Sequence, residues 1–139
     1  MGIHSAAILD KKYLEMLKLL NIYLNHFPRH EKYALANRIR NIAYELYELI
    51  VETQKRYHKK TTLTSMDIKH EQLRMQIRLA HELGYFRYHD GKTQKQSPEE
   101  QAVHRLITLQ LMIDEIGRMI GGWIHYHREQ EKGGTTTCA

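Results

Sequence analysis

Two prolines, Pro28 and Pro98, are the only ones in this 139-residue chain, and both fall where helical periodicity breaks. No segment alternates apolar and polar residues with period two, which removes a sheet from consideration. The residue before a proline avoids the α region, so Pro28 ends one helix. Pro98 does the opposite. Ser97-Pro98-Glu99-Glu100 puts Ser at the N-cap, Pro at the first helical position and Glu at the third, a capping box that opens a helix. A basic polar stretch at residues 58–62 and a turn at Asp90-Gly91 supply the other breaks. Four amphipathic segments result.

The first segment spans about residues 6–27, with a stripe of Tyr13, Met16, Leu17, Leu20, Leu24 and Phe27. The second spans about residues 29–57, with Leu35, Ile39, Ile42, Ala43, Leu46, Ile50 and Thr53, flanked by Tyr44 and Tyr47. The third is predicted near residues 65–86, with Thr64 or Ser65 as N-cap, Asp67 in the first turn, and Ile68, Leu73, Ile77, Ala80 and Gly84 on one side. The fourth starts at the capping box and runs to about residue 130, with Val103, Leu106, Ile107, Ile113, Ile116, Ile120, Trp123 and Ile124 inward and Gly133-Gly134 as its stop. Helices of this length with short connections argue an all-α, antiparallel up-down four-helix bundle. Residues 1–132 form the expected domain, and residues 133–139 are expected to be a disordered polar tail.

Gly117, Gly121 and Gly122 interrupt the fourth segment beside Trp123. Each glycine inside a helix costs about 1 kcal/mol relative to alanine. Gly117 and Gly121 are four apart and share a face, which permits close approach of another backbone. Such a face serves either a tight crossing within one subunit or a contact between subunits. Gly117, Gly121 and Trp123 are therefore packing or assembly residues on this reading.

Composition narrows the function. The single cysteine, Cys138, excludes an internal disulfide framework and fits a reducing, cytoplasmic setting. No apolar run reaches the ~18 residues of a membrane span, and the first residues do not resemble a secretory signal. A two-metal carboxylate centre needs paired Glu-x-x-His motifs, and the chain has none. The second histidine of a zinc-protease motif is missing after both His70-Glu71 and His81-Glu82. His26 and His30 straddle Pro28 and read as solvated or capping. There is no nucleophile elbow and no phosphate loop. No catalytic residue, metal or cofactor is expected, and the chain is not read as an enzyme.

The 21 Lys and Arg residues outnumber 16 acids, giving +5 at pH 7. That excess permits a polyanionic partner. Arg74 and Arg78 lie four apart on the third helix, with His70, His81 and Lys69 extending or bordering their face. Arg29, Arg38 and Arg40 gather near the start of the second helix, and Lys55, Arg56, Lys59 and Lys60 near its end. Such spacing can track a phosphate backbone. It equally describes a solvated face with local partners such as Glu71 and Glu82.

One block is more specific. Ile113-Asp114-Glu115-Ile116-Gly117-Arg118-Met119-Ile120-Gly121-Gly122-Trp123-Ile124 resembles the C-terminal helix of the accessory variability determinant (Avd) family of diversity-generating retroelements. Phe27-Pro28-Arg29 resembles that family's Pro-Arg junction, and Leu73-Arg74-Met75-Gln76-Ile77-Arg78 its Leu-Arg-x-x-apolar-Arg run. The resemblance covers about residues 10–128 and belongs to a wider superfamily that includes proteins encoded in ribosomal RNA intervening sequences. It implies a four-helix bundle that assembles into a barrel-like homopentamer. It also implies binding to RNA, possibly DNA, and to the retroelement's reverse transcriptase, in support of mutagenic retrohoming. On this resemblance Arg74, Arg78 and Arg29 are nucleic-acid contacts, joined on charge by Arg38, Lys69, His70 and His81. Five copies at +5 would total about +25, enough to turn a modest charge into a strong surface field. The alternatives are an intervening-sequence protein without a polymerase partner, and a protein-interaction bundle that does not bind nucleic acid.

Overall fold

The computed structural model describes the backbone of residues 3–92 and 96–138, and the side chains of 6–92 and 96–133. Residues 93–95 of the expected loop lie outside the described residues, as do the side chains of most of the expected tail. Four α-helices are present and no strand occurs among the described residues: α1 (Ile3–Asn25), α2 (Leu35–Lys55), α3 (Lys60–Glu82) and α4 (Pro98–Cys138). A 3₁₀ turn (Arg29–Glu31) links α1 to α2.

Each helix packs on its chain neighbour, and α1 also packs on α4. Side-chain contacts join the helices. The Tyr13 hydroxyl donates to the Ala43 carbonyl, while Arg40 reaches Asn21 and Asn25. Lys69 pairs with Glu45, and Tyr85 donates to Glu31. Lys12 pairs with Glu115.

The core is apolar and continuous. Tyr13, Met16, Leu20, Leu24 and Phe27 are buried as the α1 spacing requires, joined by Leu9 one turn earlier. Ile39, Ile42, Ala43, Leu46, Ile50 and Thr53 are buried on α2, with Tyr44 exposed. Burying each large aliphatic side chain contributes about 1.5–3 kcal/mol before chain entropy is subtracted. Tyr13, fully buried, brings a hydroxyl into the core. Burial pushes its phenol above the ordinary value of 10.0. Above pH ~10 the unfolded chain therefore holds fewer protons than the folded one, and stability falls as pH rises. Tyr13→Phe should lose about 1 kcal/mol at neutral pH for the hydrogen bond. Its urea midpoint should then fall less steeply with pH than that of the parent chain; parallel curves would contradict this.

Helix boundaries differ from the sequence reading in four places. α2 starts at Leu35, because Pro28 is followed by the separate 3₁₀ turn; there Glu31 accepts from the Leu35 amide. α3 starts at Lys60, five residues before Ser65. Lys59 permits this by donating to the Thr53, Gln54 and Arg56 carbonyls, which α2 leaves open at its end. Thr62 and Thr64 then bond back to the Lys59 and Lys60 carbonyls, and Asp67 lies mid-helix. α3 stops at Glu82 because Gly84 takes φ +83°, and the amides of Gly84 and Tyr85 close onto His81 and Ala80. α4 runs through Gly133 and Gly134 to Cys138 instead of ending near residue 130. Glycine permits a stop but does not compel one. Ser97 accepts from the Glu100 amide at 3.2 Å, the cap expected at the other end of α4.

The inward faces of α3 and α4 also differ. Ile68, Val103 and Ile107 are exposed, while Met66, His70, Ala102 and Arg105 are buried.

Candidate nucleic-acid interface

α3 carries most of the predicted contact residues, and its two flanks treat them differently. On the α4 flank, Arg74 is held by Glu71 through a two-pronged contact at 3.0 and 2.5 Å. That guanidinium keeps the Glu71 carboxyl below its usual range. Arg78, one turn on, is exposed and makes no ion pair among the described residues. His81 is half-buried beside Phe86, with its Nδ1 shielded from solvent and unpartnered.

His70 does not share the exposed face of Arg78. Its side chain is 8% exposed, and its Nε2 donates to the Ile113 carbonyl at 2.8 Å. Helical spacing explains this, since residue 70 falls three before Leu73 and seven before Ile77, both buried. A polar ring is tolerated there because Gly117 stands opposite. A Cβ on Gly117 would lie 2.6 Å from the imidazole. The close approach expected at Gly117 is thus real, but a side chain makes it, not a backbone. A Cβ on Gly121 or Gly122 would meet nothing within 4 Å, and Trp123 is buried in the core.

On the α2 flank, Lys69 pairs with Glu45 at 2.8 Å. Lys69 and Arg38 border a groove of about 910 Å³ between α2 and α3. Arg38 is exposed and, like Arg29 on the 3₁₀ turn, makes no ion pair among the described residues. The basic group at the end of α2 is largely used internally: Lys59 caps the helix and Arg56 pairs with Glu52 at 3.0 Å. The structure therefore brings Arg38 and Lys69 together and places Arg74, Arg78 and His81 on the other flank of α3.

Sequence reasoning overlooked Arg105. It is 5% exposed, donates to the Phe86 and Tyr88 carbonyls at 2.8 and 2.9 Å, and lies 3.6 Å over the Tyr88 ring. The far stacking partner of that loop is His26, whose ring is 4.0 Å from Tyr88 and nearly parallel. His26 and His30 are thus aromatic packing residues, His30 meeting Tyr85 edge-on. Among the described residues no group of His, Cys, Asp and Glu could hold a metal ion, and no helix is long and apolar enough to cross a membrane.

Among the described residues, exposed arginines without ion pairs thus lie on both α2 and α3, with a polar groove between the two helices. The bAvd-like family model matches residues 7–127, and the chain belongs to that family. This agrees with the resemblance carried by the Gly-Arg and Gly-Gly-Trp-Ile block. No curated protein and no solved structure matches the chain.

Proposed function

We propose that the chain is the non-catalytic accessory subunit of a diversity-generating retroelement. It binds template RNA or its DNA copy together with the reverse transcriptase, and so supports mutagenic retrohoming. Family membership over residues 7–127 is the observation that carries this reading. The helices are read as an antiparallel up-down bundle, the scaffold that holds basic side chains at fixed spacing. Among the described residues no carboxylate holds Arg29, Arg38 or Arg78, so these three are free to meet phosphate. Arg74 must first release Glu71, and Lys69 must release Glu45.

Assembly is part of the proposal. Ile68, Met75 and Leu79 on α3, Leu83 just after it, and Val103, Ile107 and Leu111 on α4 are exposed. Regular apolar strips of this kind support burial against further copies. A homopentamer, as the resemblance implies, would concentrate the charge of each copy. Light scattering should give a mass several times that of one chain.

The test is a paired charge reversal. Arg38→Glu/Arg78→Glu replaces two exposed residues without ion pairs, so helical circular dichroism should be unchanged. Affinity for RNA should fall at least about ten-fold at low salt. Unchanged filter binding would remove these residues from the interface. A reverse transcriptase gene beside a template and variable repeat pair supports the retroelement setting, and a site within a ribosomal RNA gene would contradict it.

A further inference from the structure

The groove between α2 and α3 is lined by amides. Asn37 and Asn41 lie one turn apart on α2, and Gln72 and Gln76 one turn apart on α3. None of the four makes a side-chain hydrogen bond among the described residues, and the Gln76 Oε1 is shielded from water without a donor. Ile42 and Leu35 form the apolar part of the lining. Tyr33 borders the groove with 92% of its surface exposed, and Arg38 lies beside it. The one carboxylate in the lining, Glu45, is neutralised by Lys69.

We propose that this groove seats unpaired bases of a nucleic-acid strand. A primary amide offers both donors and an acceptor, the pattern a base edge requires. Four of them on two facing helices supply that pattern without charge. An apolar helix could not satisfy them, and each amide it buried would be left unpaired at a cost to binding. The free Tyr33 ring provides a stacking surface, and Arg38 a phosphate contact at the mouth. A duplex ties up the Watson–Crick edges of its bases, and the deep, narrow major groove of an RNA duplex keeps side chains from the remaining edges, so the groove selects single strands. The inference rests on the nucleic-acid reading above and goes beyond it by naming the bases, and not only phosphates, as what this site takes.

The full chain should be tested against an unstructured RNA of about 12 nucleotides, the DNA of the same sequence, and the corresponding RNA duplex. Asn37→Ala/Asn41→Ala/Gln72→Ala changes exposed residues only and removes no charge. Affinity for the single strands should drop at least about ten-fold, while duplex affinity and the salt slope stay unchanged. Tyr33→Ala should weaken single-strand binding in the same selective way. A difference between the RNA and DNA arms would report use of the 2′-hydroxyl. Should the parent chain bind nucleic acid and the triple variant bind single strands equally well, the groove assignment alone is overturned. An equal fall on single strand and duplex, or a change in assembly mass, also overturns it. A parent chain that binds none of the three probes in dilute buffer removes the nucleic-acid reading and this inference together.

Discussion

Arg105→Ala should lower the free energy of unfolding by about 3 kcal/mol, among the larger losses expected of a single substitution. The guanidinium is buried and holds the chain that leaves α3. It donates to the Phe86 and Tyr88 carbonyls, contacts Gln101, and lies 3.5 Å from Asp90. Truncation leaves the Phe86 carbonyl without this donor in a dry setting and removes the platform on which Tyr88 stacks. His26 then loses its ordered partner, so the effect should reach the end of α1. Arg105→Lys should recover little, since a single ammonium cannot reproduce the planar fork. Urea denaturation measures both. A loss under about 1 kcal/mol for the alanine variant would show that the loop does not depend on this anchor.

The second large effect is expected at Gly117. An exposed glycine in a helix gains about 1 kcal/mol on becoming alanine. Gly121 and Gly122 face open space and should show that gain in the isolated subunit. Gly117 should show the reverse. Its new Cβ would stand 2.6 Å from Cε1 and 2.9 Å from Nε2 of His70, so the ring must leave the Ile113 carbonyl. We expect Gly117→Ala to be net destabilising by about 1 kcal/mol and Gly117→Leu by about 3 kcal/mol. A double-mutant cycle with His70→Ala separates causes: once the ring is gone, Gly117→Ala should become stabilising. Additive losses would mean that the glycine serves something other than this histidine. If Gly121→Ala weakens assembly while stabilising the monomer, that glycine lies against another copy.

These two residues also mark where the sequence could and could not be read. The α1 stripe and the Ser97 cap were legible because each follows from one local rule: apolar spacing on a turn of 3.6 residues, and an oxygen that meets an open amide. The first turns of α4 were not, although Ile113, Ile116, Ile120 and Trp123 lie inward as expected. Val103 and Ile107 are four apart and look like part of a core stripe, yet they point outward. Arg105 and Gln101 occupy the inward positions because the α3–α4 connection needs donors there. Hydrophobicity alone cannot tell an inner stripe from an outer one. His70 was misplaced for a related reason. Its burial depends on a glycine that is 47 positions away in the chain, and no local pattern joins them. The start of α3 was hidden by the two threonines, whose β-branching argues against helix, and by a lysine that caps through its ammonium group. For the candidate interface, arginines and lysines could be found by composition, but not that Glu71 already holds Arg74 and Glu45 already holds Lys69.

Presentation of positive charge to a polyanion is the central claim, and a salt series on the unmodified chain tests it most directly. The affinity for an unstructured RNA should be measured from dilute buffer to physiological ionic strength. Each phosphate neutralised releases counterions, so the logarithm of the binding constant should fall linearly with the logarithm of salt, with a slope of about −0.7 per contact. Binding that is absent in dilute buffer, or present and indifferent to salt, would contradict the claim.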